Sequence, residues 1–246
     1  MNASATDQSA PPVRPRFEQR SLAFAACLDV GEYLGARPDL RDLFCARRGE
    51  VRIPPAAQLF FAEYPDTLHF VALVNDALPE TAVVTPVWAR IADACSRADL
   101  RVLADDGDTA LGKVINDPDA LAEIDGVELP QLLIFDDEWQ LQARWGPRPP
   151  AADVYLDEWL AGHPEYETLA DGAASLTAPT PEAQQAFAAL NRALTHEMRI
   201  WYNSGLDREC VQGVQAVLAA LQEEADPGDG GDGDEGDAAN PRDREQ

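Results

Sequence analysis

Between Leu68 and Ala161, short apolar runs of strand length alternate with stretches of helical period, and this alternation restricts the chain to few architectures. Residues 68–74, LHFVALV, form an apolar run too short for a helix of ordinary length. Residues 83–95 follow with Val87, Ile91, Ala94 and Cys95 on one helical side. Residues 100–104, LRVLA, read as a second strand, ended by the acidic turn Asp105-Asp106-Gly107-Asp108. Thr109 to Ile124 is helical in pattern, with an interruption at Asp117-Pro118. Residues 127–135, VELPQLLIF, make a third strand with Pro130 near its start. Residues 138–145, EWQLQARW, make a fourth, reached through a tight turn at Asp136-Asp137. WGPRPP then bends the chain, and Ala151 to Ala161 reads as an amphipathic helix. The order is β-α-β-α-β-β-α. A helical crossover makes the first two strands parallel, and the tight turn makes the last pair antiparallel. The expected fold is α/β, with a central mixed four-stranded sheet flanked by helices.

The flanking segments are of a different kind. Residues 1–16 are polar and proline-rich, a composition expected to be disordered. Residues 17–66 read as an N-terminal helical extension packing on the core. Leu22, Ala26, Val30 and Leu34 recur at a four-residue step, and Ala56, Leu59 and Phe60 form a second stripe. Gly35 and Pro38 break the first helix, whereas Pro54 and Pro55 suit the first turn of another. Residues 180–224 suggest a C-terminal αα-hairpin. Phe187, Leu190, Leu194, Met198 and Trp201 share one face, Gly205 interrupts, and Cys210, Val214, Val217 and Leu221 share the next. Such a hairpin buries its stripe on the main domain or lines a groove for a cofactor or partner. Residues 225–246 form an acidic tail expected to be disordered. Its aspartates miss EF-hand spacing: after Asp232 and Asp234 the next ligand position holds Gly236, and no glutamate closes the loop.

Composition narrows the partners. The net charge of −25, from 44 acidic and 19 basic residues, repels phosphate backbones and anionic lipid, so neither nucleic acid nor membrane is expected as a partner. Lys113 is the sole lysine, a bias that suits either adaptation to high salt or a GC-rich genome. No apolar stretch is long enough to span a bilayer, and the polar N-terminus lacks the apolar core of a signal peptide, so a cytoplasmic location is expected. Cys27, Cys45, Cys95 and Cys210 form no CxxC, and with His69, His163 and His196 they give no zinc-site spacing. No metal or cofactor is expected. GxSxG, HExxH and P-loop motifs are absent, and the pairs Asp105/Asp106 and Asp136/Asp137 sit in turns, where they read as solvated caps.

Three stretches carry a family resemblance. TPVWARIADA, Thr85 to Ala94, looks like the thioredoxin helix after the active site, which has a proline inside an apolar helix. VELPQLLIFDD looks like the strand that opens with the family's cis-proline. EWQLQARWGPRPPAADVYLDEWL looks like the last strand, glycine turn and C-terminal helix, and RWGPRP resembles a bacterial group that carries a WCGDA active site. The resemblance makes residues 67–163 a thioredoxin-like domain with the strand order already read from the pattern. It further implies a cis Leu129–Pro130 bond beside residues 77–81, and a backbone edge at Leu129 and Pro130 able to pair with an extended peptide. Alternatively, Pro130 is only an architectural relic.

At the family's catalytic slot this sequence departs. Counting back from Pro86, the two cysteine positions fall on Leu78 and Thr81. Where the related group has WCGD, this chain has Ala77-Leu78-Pro79-Glu80; the acid is kept at Glu80, and a buried acid found in many thioredoxins is replaced by Ala72. Leucine cannot ionise, and threonine without a base is a poor nucleophile, so no thiol–disulfide exchange can occur at Ala77, Leu78, Pro79, Glu80 and Thr81. Cys95 lies along the same helix, about 20 Å away at about 1.5 Å per residue. The remaining cysteines could approach only through tertiary folding. Three readings follow: a redox-inactive member that binds a protein or peptide, an oxidoreductase using a cysteine outside the slot, or a structural scaffold.

Overall fold

The computed structural model describes residues 27–104, 128–138, 140–174 and 180–225. Its first element departs from the helical reading of residues 17–64. Leu28–Asp29 is a short strand, β1, paired antiparallel with a later strand at Val102 and Arg101. Asp29 then begins a helix instead of lying inside one. The Glu32 N–H donates to Asp29 Oδ1 at 2.7 Å, and the Asp29 N–H donates to Glu32 Oε2 at 3.1 Å. This capping box sets the start of α1, Val30–Gly35, because a side chain that accepts from the third helical amide belongs to a residue held extended. Helices α2, Pro38–Glu50, and α3, Pro55–Ala62, each begin with proline, whose missing N–H costs nothing in a first turn.

The central strands follow as β2, Leu68–Val74, and β3, Ala98–Ala104, joined by α4, Pro79–Ala94. β4, Gln131–Phe135, and β5, Leu141–Trp145, form a hairpin, followed by α5, Ala151–Gly162. Next come α6, Glu165–Ala174, which the sequence reading left unassigned, and α7, Pro181–Trp201. A π-helical turn over Tyr202–Leu206, with Gly205 at φ +151°, leads into α8, Asp207–Ala225. The expected helix Thr109–Ile124 and the proposed disorder of residues 1–16 lie outside the described residues. So does the acidic tail beyond residue 225.

The sheet has five strands, not four, in the order β1-β3-β2-β4-β5. β2 and β3 are parallel, whereas β2–β4 and β4–β5 are antiparallel, as the connections require. The additional strand is β1, two residues long and therefore invisible to any periodicity. Alternation divides β2 between two cores. Phe70, Ala72 and Val74 face a cluster shared with α2, α3, α4, α7 and α8. Val71 and Leu73 face a second cluster with Cys27, Leu103 and Leu133. α4 is buried on nearly every side, which explains why its sequence shows little polar face.

Trp145 and Gly146 bring the hairpin against its neighbours. The Trp145 ring meets Trp88 of α4 edge to face at 6.1 Å, and α8 approaches the same indole so closely at Gly213 that a Cβ there would stand 2.3 Å from Nε1. Gly146 has φ +132°, and a Cβ there would meet the Pro130 carbonyl oxygen at 2.6 Å. The bonds Leu129–Pro130 and Gly146–Pro147 are both cis. The two proline-bearing loops of the family resemblance are thus packed directly on each other. No described helix is long and apolar enough to cross a membrane.

Candidate functional site

The N-terminus of α4 carries Leu78 and Thr81, the two positions reached by counting back from Pro86. Leu78 is the N-cap, extended at φ −87° and ψ 127°, and Pro79 and Glu80 open the helix with Thr81 third. Asn75 organises the approach: its Oδ1 accepts the Ala77 N–H at 2.9 Å, and its carbonyl accepts the Leu78 N–H at 3.0 Å and the Thr81 hydroxyl at 2.7 Å. The Thr81 N–H turns back to the Leu78 carbonyl at 3.1 Å. Pro79 has no amide hydrogen. The amides of Ala77, Leu78 and Thr81 are therefore used locally. The helix end keeps its dipole but has few amides left for a thiolate or bound anion.

The loop before the helix is held from both sides. Asp76 accepts from the Tyr33 hydroxyl and from Arg37 Nε, and the Arg37 guanidinium lies over the Tyr33 ring at 4.5 Å. On the other side, Asn191 of α7 donates to the Ala77 carbonyl at 3.2 Å and accepts from the Tyr166 hydroxyl at 2.8 Å. Between these supports lies an open groove of about 510 Å³. Leu40 and Leu43 of α2 join Leu78, Pro79 and Ala82 in its apolar lining, with Asp39 and Asp76 at the edge. α7 supplies Ala188, Asn191, Arg192, Thr195, His196 and Arg199.

Glu80 leads elsewhere. Its carboxylate is 8% exposed and meets Arg148 Nη1 at 3.4 Å. Arg148 also meets Glu128 at 3.3 Å and Asp153 at 2.6 Å, so the WGPRP loop is tied to α4, to the segment before β4 and to α5. Burial raises the Glu80 carboxyl above its usual range; its own amide and Arg148 oppose that shift, and Glu128 adds to it. Ala72, which stands at the position the resemblance aligns with a buried acid, is fully buried in β2 opposite Leu132.

The structure gathers Ala77, Leu78 and Pro79 into the groove, while Leu129 and Pro130 are not among its lining residues. Pro130 is buried, and Leu129 packs with the core on the second sheet face. The cysteines are dispersed. Cys95 caps the C-terminus of α4, the end opposite Leu78. Burial pushes the Cys27 and Cys95 thiols up to about 12 and raises the Cys210 thiol well above its usual range, so all three are protonated near neutrality. Cys45 lies exposed on α2. Among the described residues no group of three or more His, Cys, Asp or Glu could hold a metal ion.

Sequence reasoning did not find the α7 side of the groove. Asn191 is 114 residues from the Ala77 carbonyl it holds, and no local pattern encodes that meeting. Arg148 was within reach, since it belongs to the WGPRP run. No protein-family model matches the chain, and no curated protein does. Among solved structures, a protein of unknown function from Pseudomonas aeruginosa is similar with a TM-score of 0.53 and 14% identity, over 81% of this chain and 96% of that one. An HIV epitope-scaffold is similar with a TM-score of 0.51 and 12% identity, over 81% of this chain and 97% of that one. At these identities the likeness is one of fold alone, and it covers nearly the whole of both neighbours.

Proposed function

We propose that this chain is a thioredoxin-like protein without redox activity at the usual slot, and that it binds a peptide segment in the groove beside Leu78. The observation that carries the reading is the α4 N-terminus: Leu78 at the N-cap and Thr81 one turn on, with no sulfur at either place. The strand order and the proline inside α4 favour the family assignment. The groove favours binding, because an apolar floor beside polar side chains is a surface that an extended segment can cover. The high thiol values at Cys27, Cys95 and Cys210 weigh against an oxidoreductase working from outside the slot.

The test is disulfide reduction with insulin and a dithiol probe, on the wild type and on the Cys27→Ser, Cys45→Ser, Cys95→Ser and Cys210→Ser variants. The expected outcome is no turnover above a no-protein control in any of them. Turnover in the wild type that disappears with one substitution would establish the oxidoreductase reading instead.

A further inference from the structure

The groove has a chemical bias that its apolar floor does not explain. The chain carries a net charge of −25, yet the six α7 residues lining the groove include no acid. Glu182 and Glu197 of the same helix are absent from that lining. Two of the charged lining residues are already engaged: Arg199 is paired with Glu50, and Asp76 with Arg37 and Tyr33. Arg192 and His196 remain. They stand four residues apart on one helix face, both exposed, and neither forms a hydrogen bond or ion pair with another described residue. Asp39, at the start of α2, is the sole unpaired acid in the lining.

The backbone of the slot offers an anion little, because the N–H groups of Ala77, Leu78 and Thr81 are consumed locally and Pro79 has none. The exposed side-chain donors of the groove are those of α7. We infer that the groove takes a peptide segment in which an acidic side chain lies next to an apolar one, the carboxylate meeting Arg192 and His196 and the apolar group covering Leu78 and Leu43. Arg192 supplies a fork of donors suited to a carboxylate, and His196 a further ring nitrogen one turn away. The field of the whole chain opposes an acidic partner, but at physiological salt it is screened beyond about 8 Å, whereas these contacts are direct.

This inference rests on the groove-binding reading and can fail separately from it. Three short fluorescein-labelled synthetic peptides serve as probes: one alternating leucine with glutamate, one leucine with lysine, and one serine with glutamate. Binding to the full chain is followed by anisotropy, with melting curves as fold controls. The leucine–glutamate peptide should bind most tightly, the serine–glutamate peptide more weakly for want of apolar burial. The exposed-site variant Arg192→Glu/His196→Glu should weaken the leucine–glutamate peptide by about tenfold or more and favour the leucine–lysine one. Leu78→Ser should weaken the leucine–glutamate peptide without changing its preference over leucine–lysine. If the wild type prefers the leucine–lysine peptide and Leu78→Ser weakens that binding, the acidic specificity is wrong and the groove reading stands. If no peptide binds the wild type, both are overturned.

Discussion

Two arginines, Arg47 fully buried and Arg148 partly so, tie elements to α4, and their sites are built differently. At the hairpin base, Arg47 of α2 is 0% exposed. Its Nη2 meets Asp207 at 2.7 Å and its Nη1 meets Asn203 at 2.6 Å, with Glu50 at 3.3 Å and the Val83 carbonyl of α4 at 3.4 Å. Glu50 in turn holds Arg199 and Asn203. At the other site, Arg148 is shared among three carboxylates, and its distance to the buried one, Glu80, is 3.4 Å. The first is a dense network that fixes the C-terminal helices on α2, with Arg47 Nε its one unpartnered nitrogen; the second is a looser clasp beside the slot. The denser of the two buried-charge sites is the one that holds α7 and α8 in place beside the groove.

The contrast can be broken most severely at Arg47. Arg47→Ala leaves Asp207 buried without its partner, and a loss of about 3–5 kcal/mol in urea unfolding is expected. Glu80→Gln should cost within about 1 kcal/mol under the same conditions, because the carboxylate it removes is held at a long distance. Equal losses at the two sites would erase the distinction. Between them falls Gly146→Ala: its Cβ would collide with the Pro130 carbonyl in a left-handed backbone, and about 1–3 kcal/mol should be lost.

The smallest effects are pH slopes of opposite sign. The raised Glu80 carboxyl makes the folded state bind the proton more tightly than the unfolded one. Its favourable contribution is complete below the ordinary value of 4.5 and is lost as pH rises through the higher folded value. Glu50 is lowered to about 2, chiefly by its hydrogen bond from Arg199, so its contribution is complete above 4.5 and is lost as pH falls toward 2. Unfolding followed from pH 2 to 7 should show Glu50→Gln flattening the acid side and Glu80→Gln flattening the decline above pH 4.5. A Glu80→Gln curve parallel to the wild type would mean that this carboxyl is not perturbed by burial.

What the sequence made legible follows the range of the interactions. β2, β3, β4 and β5 were readable because each is an apolar run bounded by turn residues. α4 was placed within a few residues, its start set by Pro79 instead of Val83. β1 was misread as helix because Val30 and Leu34 continue a four-residue step; Asp29 with Glu32 three residues on was the available signal against it. The candidate slot itself was found by counting from Pro86. The groove was not, because its second wall is α7, and the Arg47 network was not, because Asp207 lies 160 residues from its partner. Periodicity reports which face of an element is apolar, not which distant element will cover it.

The central proposal is that the head of α4 carries no thiol chemistry because Leu78 and Thr81 supply no sulfur there. The direct measurement is insulin reduction by the double variant Leu78→Cys/Thr81→Cys beside the wild type. The account predicts no turnover from the wild type and measurable, modest turnover from the variant. The gain is modest because Ala72 supplies no buried acid and the local amides are already bonded. Turnover by the wild type, or an inert double variant whose two new thiols form a disulfide within a folded protein, would contradict it.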